Sequence, residues 1–359
     1  MPKIRRAPSR IHIVGPAWMH GGTEQHANAL ARFFDPRRMR IDCVHVTTSQ
    51  YFDQNFADET FLNIRETKPE DLADATADAD CVLHWGIELD KYLAPSTRQA
   101  RIAIAHGASH WGKAMLNGSS KTTDHTICVS QHVANEYKLA TPHTVVRNGI
   151  DTARLTNTVS AHDARASIGA TEETFIIGYL GRLATDKRID RIIQAAALMT
   201  GETMVIICGC GPEEPALRDL AKRCTNTAVR FTYLSQYLGD FFQTLDAFVM
   251  PSEHEGFCLA TAEAMWSRVP VVTTRTGLTA TDINDGINGL ITDGTPEDIA
   301  QQLTAIRENI NAATCMAHLG HETASTFYMA KRMAADYADL IEREIEAKPD
   351  HEFTRRIPF

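Results

Sequence analysis

The chain is short of positive charge: 36 Lys and Arg stand against 45 Asp and Glu, for a net charge of −9. That balance argues against nucleic-acid binding as the main task. A short basic opening, "KIRRAPSR" (3–10), could touch anionic lipid, although basic tails of this kind are ordinarily just solvated. Long apolar runs are missing as well, and none approaches the ~18 residues of a membrane-spanning helix. A strand-like "IHIVG" follows the basic residues at once, without the apolar centre of a secretory signal. Cysteine is sparse and scattered. Of eight, only Cys208 and Cys210 lie close together, inside an apolar strand pattern with no second pair at metal-ligand spacing. They read as packing, and the chain reads as one for a reducing cytoplasm. The dinucleotide fingerprint G-x-G-x-x-G is absent too, since "GPAWMHGG" (15–22) does not fit it. No His, Glu and Asp set has metal-ligand spacing, and "DAD" (78–80) precedes a strand rather than leaving one, so no metal site is expected.

What is present is an alternation of short apolar runs and helical patterns. "IHIVGP", "IDCVHVTT", "CVLHWG", "RIAIAHG", "HTICVS" and "TVVRNGI" read as buried parallel strands between residues 11 and 150. Helices are expected over 22–34 and 70–79. A polar, Thr- and Ala-rich stretch over 153–174 reads as a connection, and a second strand–helix series follows from 175. After Pro296 the pattern is helical to about residue 347, with a polar tail beyond. The expected fold is therefore α/β with two Rossmann-like, doubly wound domains. The boundaries expected are 1–152, a connection over 153–174, and 175–330. A C-terminal helix and tail over 331–359 would pack back on the first domain. In such sheets ligands gather at the carboxyl ends of strands, which directs attention to the loops leaving them.

Four loops carry candidate chemistry. In "PSEHEGFCLATAEAMWSRVPVV" (251–272), Glu255 lies in a strand-to-helix loop and Glu263 about two turns into a helix expected to start near Phe257 or Cys258. Burying an ionised carboxylate costs several kcal/mol or more without partners. Either a hydroxyl-rich ligand satisfies Glu263 or a protein cation does. First-turn amides, around Phe257 to Ala260, would suit a phosphate, and Gly256, Phe257, Cys258 and Leu259 are expected among the donor-binding residues. In "GYLGRLATDKRIDRIIQAA" (178–196), Arg182 and Lys187 bracket another such loop, with Asp186 as the expected helix cap. They are either a diphosphate clamp or two solvated cations. Gly21 and Gly22 open a helix after the first strand, as an anion-approaching turn or a plain one. His106 ends "RIAIAHG", as a functional residue or a satisfied strand-end histidine.

Together these segments resemble the retaining glycosyltransferases of GT-B fold, specifically glycosyltransferase family four (the glycosyl transferases group 1 domain). "PSEHEGF…AEAM" is similar to that family's Glu-x7-Glu motif and "GRLATDKRIDRII" to its Gly-Arg-Leu…Lys stretch. "NGID" (148–151), "CGCGPEEPAL" (208–217), "NDGINGLI" (284–291) and "HGGTEQHANALA" (20–31) match further family segments. The resemblance implies two domains facing across a cleft and sugar transfer from a UDP- or GDP-linked donor, with no cofactor or metal. It also implies that Glu255 holds sugar hydroxyls, Glu263 holds ribose, and Arg182 and Lys187 neutralise the leaving diphosphate. Gly21 and Gly22 would reach the phosphate, with His106 near the sugar. The implied acceptor is a hydroxyl of a glycan, a lipid-linked sugar or a small molecule. A lipid-linked acceptor would bring this cytoplasmic protein to the inner face of a membrane as a peripheral partner.

Departures from the family pattern cluster near the donor loops. Arg188 follows the clamp lysine where Gly is common, Arg268 precedes Val-Pro where Gly is usual, and Cys258 replaces a frequent Gly. The segment "TGLTATDINDG" (276–286) lacks the usual Gly-Gly and its Glu. Two other classes compete: a non-catalytic or degenerate nucleotide-sugar-binding protein, encouraged by those departures, and a GT-B nucleotide-sugar epimerase. The epimerase should carry additional acid–base carboxylates around the sugar, and no such set is visible.

Overall fold

The near-continuous apolar runs become parallel strands, because only a strand covered on both faces can keep every side chain out of water. The computed structural model describes residues 7–350, apart from 20, 49–51, 55–56, 58–59, 108–109, 138, 140 and 234–237. His20, residues 3–6 of the basic opening, the tail beyond 350 and the side chains of His110 and Trp111 thus lie outside the described residues. Two compact units divide the chain, one of residues 1–149 with 330–359 and one of residues 150–329.

The first unit is built on β1 (Ser9–Gly15), β2 (Met39–Val46), β3 (Ile64–Glu66), β4 (Cys81–His84), β5 (Ala100–Ala105), β6 (His125–Cys128) and β7 (His143–Val145). Their order across the sheet is 3-2-1-4-5-6-7, with every pairing parallel. Ile11, Ile13, Val82 and Leu83 are fully buried in its centre. Helix Gly22–Phe33 packs against helix Ala330–Glu346, burying Ala27 and Leu30 on one and Met333 and Tyr337 on the other. The last helix is also held by charge. Arg38 reaches Glu342 at 2.7 Å and Lys348 reaches Asp124 at 2.7 Å. Over 70–79 the expected helix is shorter, a 3-10 turn at Pro69–Asp71 followed by Leu72–Ala75. Within "DAD", Asp80 accepts the Arg10 amide at 2.8 Å and Asp78 pairs with the Arg10 guanidinium, so both carboxylates fasten the start of β1.

The second unit repeats the pattern with β8 (Phe175–Leu180), β9 (Thr203–Cys208), β10 (Ala228–Thr232), β11 (Ala247–Met250), β12 (Val271–Thr273) and β13 (Leu290–Ile291). These run 10-9-8-11-12-13, again all parallel. The stretch expected as a bare connection, 153–174, belongs to this unit and carries structure of its own: a 3-10 turn at Thr152–Leu155 and helix Ala161–Ser167. Arg165 anchors that helix, donating to Thr174 O at 2.6 Å and pairing with Asp246 at 3.3 Å. After residue 296, helices Pro296–Glu308 and Ile310–Phe327 complete the unit, before Ala330–Glu346 returns to the first.

Candidate functional site

In the second unit the strand order reverses between β8 and β11, and that pair delivers the two richest candidate loops side by side at their carboxyl ends. A backbone bond ties the loops together, Glu253 N–H donating to Asp186 O at 2.8 Å. The loop after β8 is braced from its other side by "CGCG". Gly181 N–H donates to Cys208 O at 3.0 Å and Leu183 N–H to Cys210 O at 2.9 Å. A Cβ on Gly209 would stand 1.9 Å from Gly181 O, and one on Gly211 would stand 2.3 Å from Leu183 O. Only glycine permits that backbone-on-backbone approach.

Lys187 and Glu255 meet directly, Nζ to Oε1 at 2.8 Å, with both side chains largely buried. Lys187 also donates to His254 O at 3.2 Å and lies 3.3 Å from Asp186. Burial works against its charge, but Glu255, by charge and hydrogen bond, more than offsets this, and its pKa is raised. Arg182 is different. Its side chain is two-thirds exposed, and its ion pair is to Asp186 at 3.9 Å. The two cations of the expected clamp therefore flank a carboxylate of their own loop. Asp186 is not the helix cap. It sits in the 3-10 turn Thr185–Lys187, and the cap of helix Ile189–Leu198 is Arg188 in the left-handed region at φ 49°.

The helix after Glu255 begins at Leu259, not at Phe257 or Cys258, and runs to Trp266. Glu263 thus lies about one turn in, rather than two. Cys258 stands at the cap in a left-handed conformation, φ 76°, and its Sγ lies in hydrogen-bond contact with Thr261 Oγ1 at 3.0 Å. Its thiol is pushed up to about 12 by burial and by the Glu255 charge. The loop is held in place by the turn Gly277–Ala280, where Thr276 Oγ1 accepts the Glu255 amide at 2.8 Å and Leu278 N–H donates to Phe257 O at 2.9 Å. Phe257 packs edge-on to Tyr328. Glu263 is buried, which raises its pKa, and the opposing influence is Arg154, whose Nη1 lies 3.1 Å from Oε1. A protein cation therefore supplies the partner that the sequence left open. Arg154 was missed because it falls in the stretch read as connection. Its place three residues after "NGID" was the available signal.

The remaining candidates belong to the first unit. Gly21, in extended conformation, caps helix Gly22–Phe33 and Gly22 starts it. Glu24 folds back over that turn, its Oε2 2.6 Å from where a Gly21 Cβ would stand. Burial pushes the Glu24 carboxyl up to about 7, against a hydrogen bond from Thr23. His106 follows β5, half-buried, its ring edge-on to Trp85 at 5.3 Å and to His26 at 5.0 Å. Burial, and then the His26 ring, hold its pKa well below the ordinary range. Among the described residues, no group of three or more His, Cys, Asp or Glu is arranged to hold a metal ion.

Residues 161–317 match the family described as Glycosyl transferases group 1. A GDP-mannose-dependent alpha-mannosyltransferase of Corynebacterium glutamicum is 34% identical over 118 residues, covering 33% of this chain and 27% of that one. A D-inositol 3-phosphate glycosyltransferase of Corynebacterium urealyticum is 30% identical over 215 residues, 55% of this chain and 51% of that one. The chain thus spans about half or less of the length of these curated relatives. Among solved structures, HepE of Anabaena in complex with UDP and glucose superposes with a TM-score of 0.81 at 16% identity, covering 93% of this chain and all of that one.

Proposed function

From the premise that this chain belongs, through residues 161–317, to the glycosyl transferases group 1 family on a GT-B fold, we propose a retaining glycosyltransferase. It moves a sugar from a nucleotide diphosphate-sugar to a hydroxyl acceptor, using side-chain cations rather than a metal ion. The observation that carries the reading is the Lys187–Glu255 pair at the carboxyl edge of β8 and β11. A buried cation and carboxylate at such an edge are preorganised for a ligand with both phosphate and hydroxyl groups. In this reading Lys187 and Arg182 take up charge on the departing diphosphate. The amides from Gly256 through Leu259 donate to phosphate oxygen. Glu255 accepts from sugar hydroxyls, and Glu263, steadied by Arg154, accepts from ribose. His106, Gly21 and Gly22 are the first unit's contributions. The departing phosphate helps take the acceptor's proton, and Glu255 is not a covalent nucleophile.

The donor is a UDP- or GDP-sugar. One relative is named for GDP-mannose and one solved structure holds UDP and glucose, so these donors head a thermal-shift screen, with bound donor raising Tm by mass action. Glycan, lipid-linked and inositol phosphate acceptors follow in an assay for released nucleotide. Turnover is expected to stay within about twofold in saturating EDTA. Loss on chelation with recovery on added manganese would overturn the side-chain mechanism. Tight donor binding without turnover on every acceptor would favour the binding-protein class, and conversion of the sugar nucleotide without acceptor would favour an epimerase.

A further inference from the structure

Three polar side chains from separate segments of the first unit gather around a fourth, His26. His26 itself comes from helix Gly22–Phe33, His106 from the end of β5, Asn148 from beyond β7 and Tyr337 from helix Ala330–Glu346. The His26 ring centroid lies 5.0 Å from that of His106 and 5.1 Å from that of Tyr337, and Asn148 is near enough to oppose the lowering of the His26 pKa by burial. His26, Asn148 and Tyr337 are all almost wholly buried. Yet Nδ1 and Nε2 of His26, Nε2 of His106, Oδ1 of Asn148 and Oη of Tyr337 are each shut off from solvent with no hydrogen-bond partner.

A dry buried polar atom costs about 1–3 kcal/mol, so five together would rival the ~5–15 kcal/mol that holds a domain folded. The chemistry of the set says what it would bind. Each neutral imidazole offers one N–H donor and one bare nitrogen, the amide oxygen accepts, and the phenol does both. Water, with two donors and two acceptor sites, matches this mixture, and buried water ordinarily makes about three such bonds. A nitrogen that is bonded by water also decides where its ring carries its proton.

We propose that the space among His26, His106, Asn148 and Tyr337 is an internal water site, and that through it His26 is a positioning residue that fixes the tautomer of His106. The water site stands on burial and unmatched atoms alone. Its consequence for turnover rests on the reading of His106 as a group of the reaction.

A high-resolution crystal structure of the full chain should show water within hydrogen-bond distance of at least two of the five atoms. Side chains paired directly to one another with no water between them would overturn the site. Ring 15N shifts in histidine-labelled protein read the tautomer. His26→Phe should change that of His106, while His26→Gln, which can still bond water, should keep it. An unchanged His106 tautomer in folded His26→Phe overturns the positioning role, and Tyr337→Phe serves the same test if the first variant does not fold. With UDP-glucose or GDP-mannose, whichever is turned over, His26→Phe should lower kcat about tenfold with KM within about twofold, and His26→Gln should recover kcat. If His106→Ala turns over normally, the reaction role of His106 fails, while the density and tautomer results still judge the water site.

Discussion

Both units thread their first six strands in the same order, yet they treat polar groups in opposite ways. In the second unit each buried carboxylate at the strand ends has its cation, Glu255 with Lys187 and Glu263 with Arg154. In the first unit the comparable depth holds the polar groups His26, His84, Asn148 and Tyr337 beside the charged Arg101 and Glu24, and Glu24 is met by the Thr23 hydroxyl. Paired charges respond strongly to a charged ligand, because an arriving phosphate or hydroxyl changes the partner each charge sees. Neutral groups respond instead to protons, because gaining charge there means paying desolvation. One scaffold thus carries a unit sensitive to ligand charge and a unit sensitive to acid.

Acid should separate them most. Burial lowers His26 to about 4, His45 to about 4 and His84 to about 3, against an ordinary 6.5, and all three lie in the first unit. Their folded pKa values are depressed, so the unfolded chain binds more protons between the two values, and stability falls as pH drops from 6.5 towards 4. Glu24, raised to about 7, works the other way between its ordinary 4.5 and 7, while His106, also lowered by burial, adds to the loss. The expected net loss is several kcal/mol. Hydrogen exchange at pH 4.5, corrected for intrinsic rate, should show β1 and β4 opening before β8 and β9. Equal loss in both sheets breaks the contrast.

Next in size is the Lys187–Glu255 pair. Lys187→Ala strands a buried carboxylate, at a cost of about 3 kcal/mol in stability, and should lower turnover about 100-fold. Adding Glu255→Gln should restore Tm but not turnover. If the double variant recovers both, the pair serves the fold alone.

A smaller effect divides the two carboxylates of the second unit. Glu263→Gln should weaken free UDP or GDP by about 1–2 kcal/mol, since a charged acceptor is lost from the ribose. Glu255→Gln should leave the free diphosphate nearly unchanged, because it has no sugar to lose, and should depress turnover with donor. Calorimetric titration reads both, and equal weakening by the two would cancel their separate assignments.

The smallest expected effect concerns backbone strain. The non-glycine residues with positive φ among those described are Arg188, Cys258 and Arg268, all in the second unit. Left-handed geometry costs an ordinary residue about 1–2 kcal/mol, more than the 0.5–1 kcal/mol entropy that glycine forfeits. Exposed Arg268→Gly should therefore raise stability by about 0.5–1 kcal/mol. Arg188→Gly should gain less, since it gives up ion pairs to Glu253 at 2.8 Å and Asp190 at 3.2 Å. Denaturant unfolding ranks them, and a loss of stability in Arg268→Gly would contradict the strain argument.

The long central strands were legible because burial on both faces forces unbroken apolar runs, as in "FIIGYL" and "MVIIC". The short strands β3 and β13 were not, since three residues, two of them exposed, and two half-exposed ones leave no periodicity to read. Candidate carboxylates and cations could be named from loop position, but not their partners. Glu263 and Arg154 are 109 positions apart, and no local pattern links them. Helix starts slipped for a definite reason: Arg188 and Cys258 adopt a conformation their residue types disfavour, so cap preferences pointed elsewhere. The three positions noted as lacking the family's glycine are the same three that keep a left-handed backbone. Each of them holds a conformation that glycine would adopt with less strain.

Helix Ala330–Glu346 lies against helix Gly22–Phe33, in the unit whose other residues end at 149. On the ribosome, this makes the lobe begun first the lobe finished last. The 180 residues from Ile150 to Met329 must be polymerised in between, which takes roughly 10–40 s at ordinary translation rates. For that interval the apolar face formed by Ala27 and Leu30 has no cover from Met333, Tyr337 and Ile341, and the nascent first sheet is a client for whatever chaperone meets it. A premature stop anywhere in the second unit would leave both lobes defective.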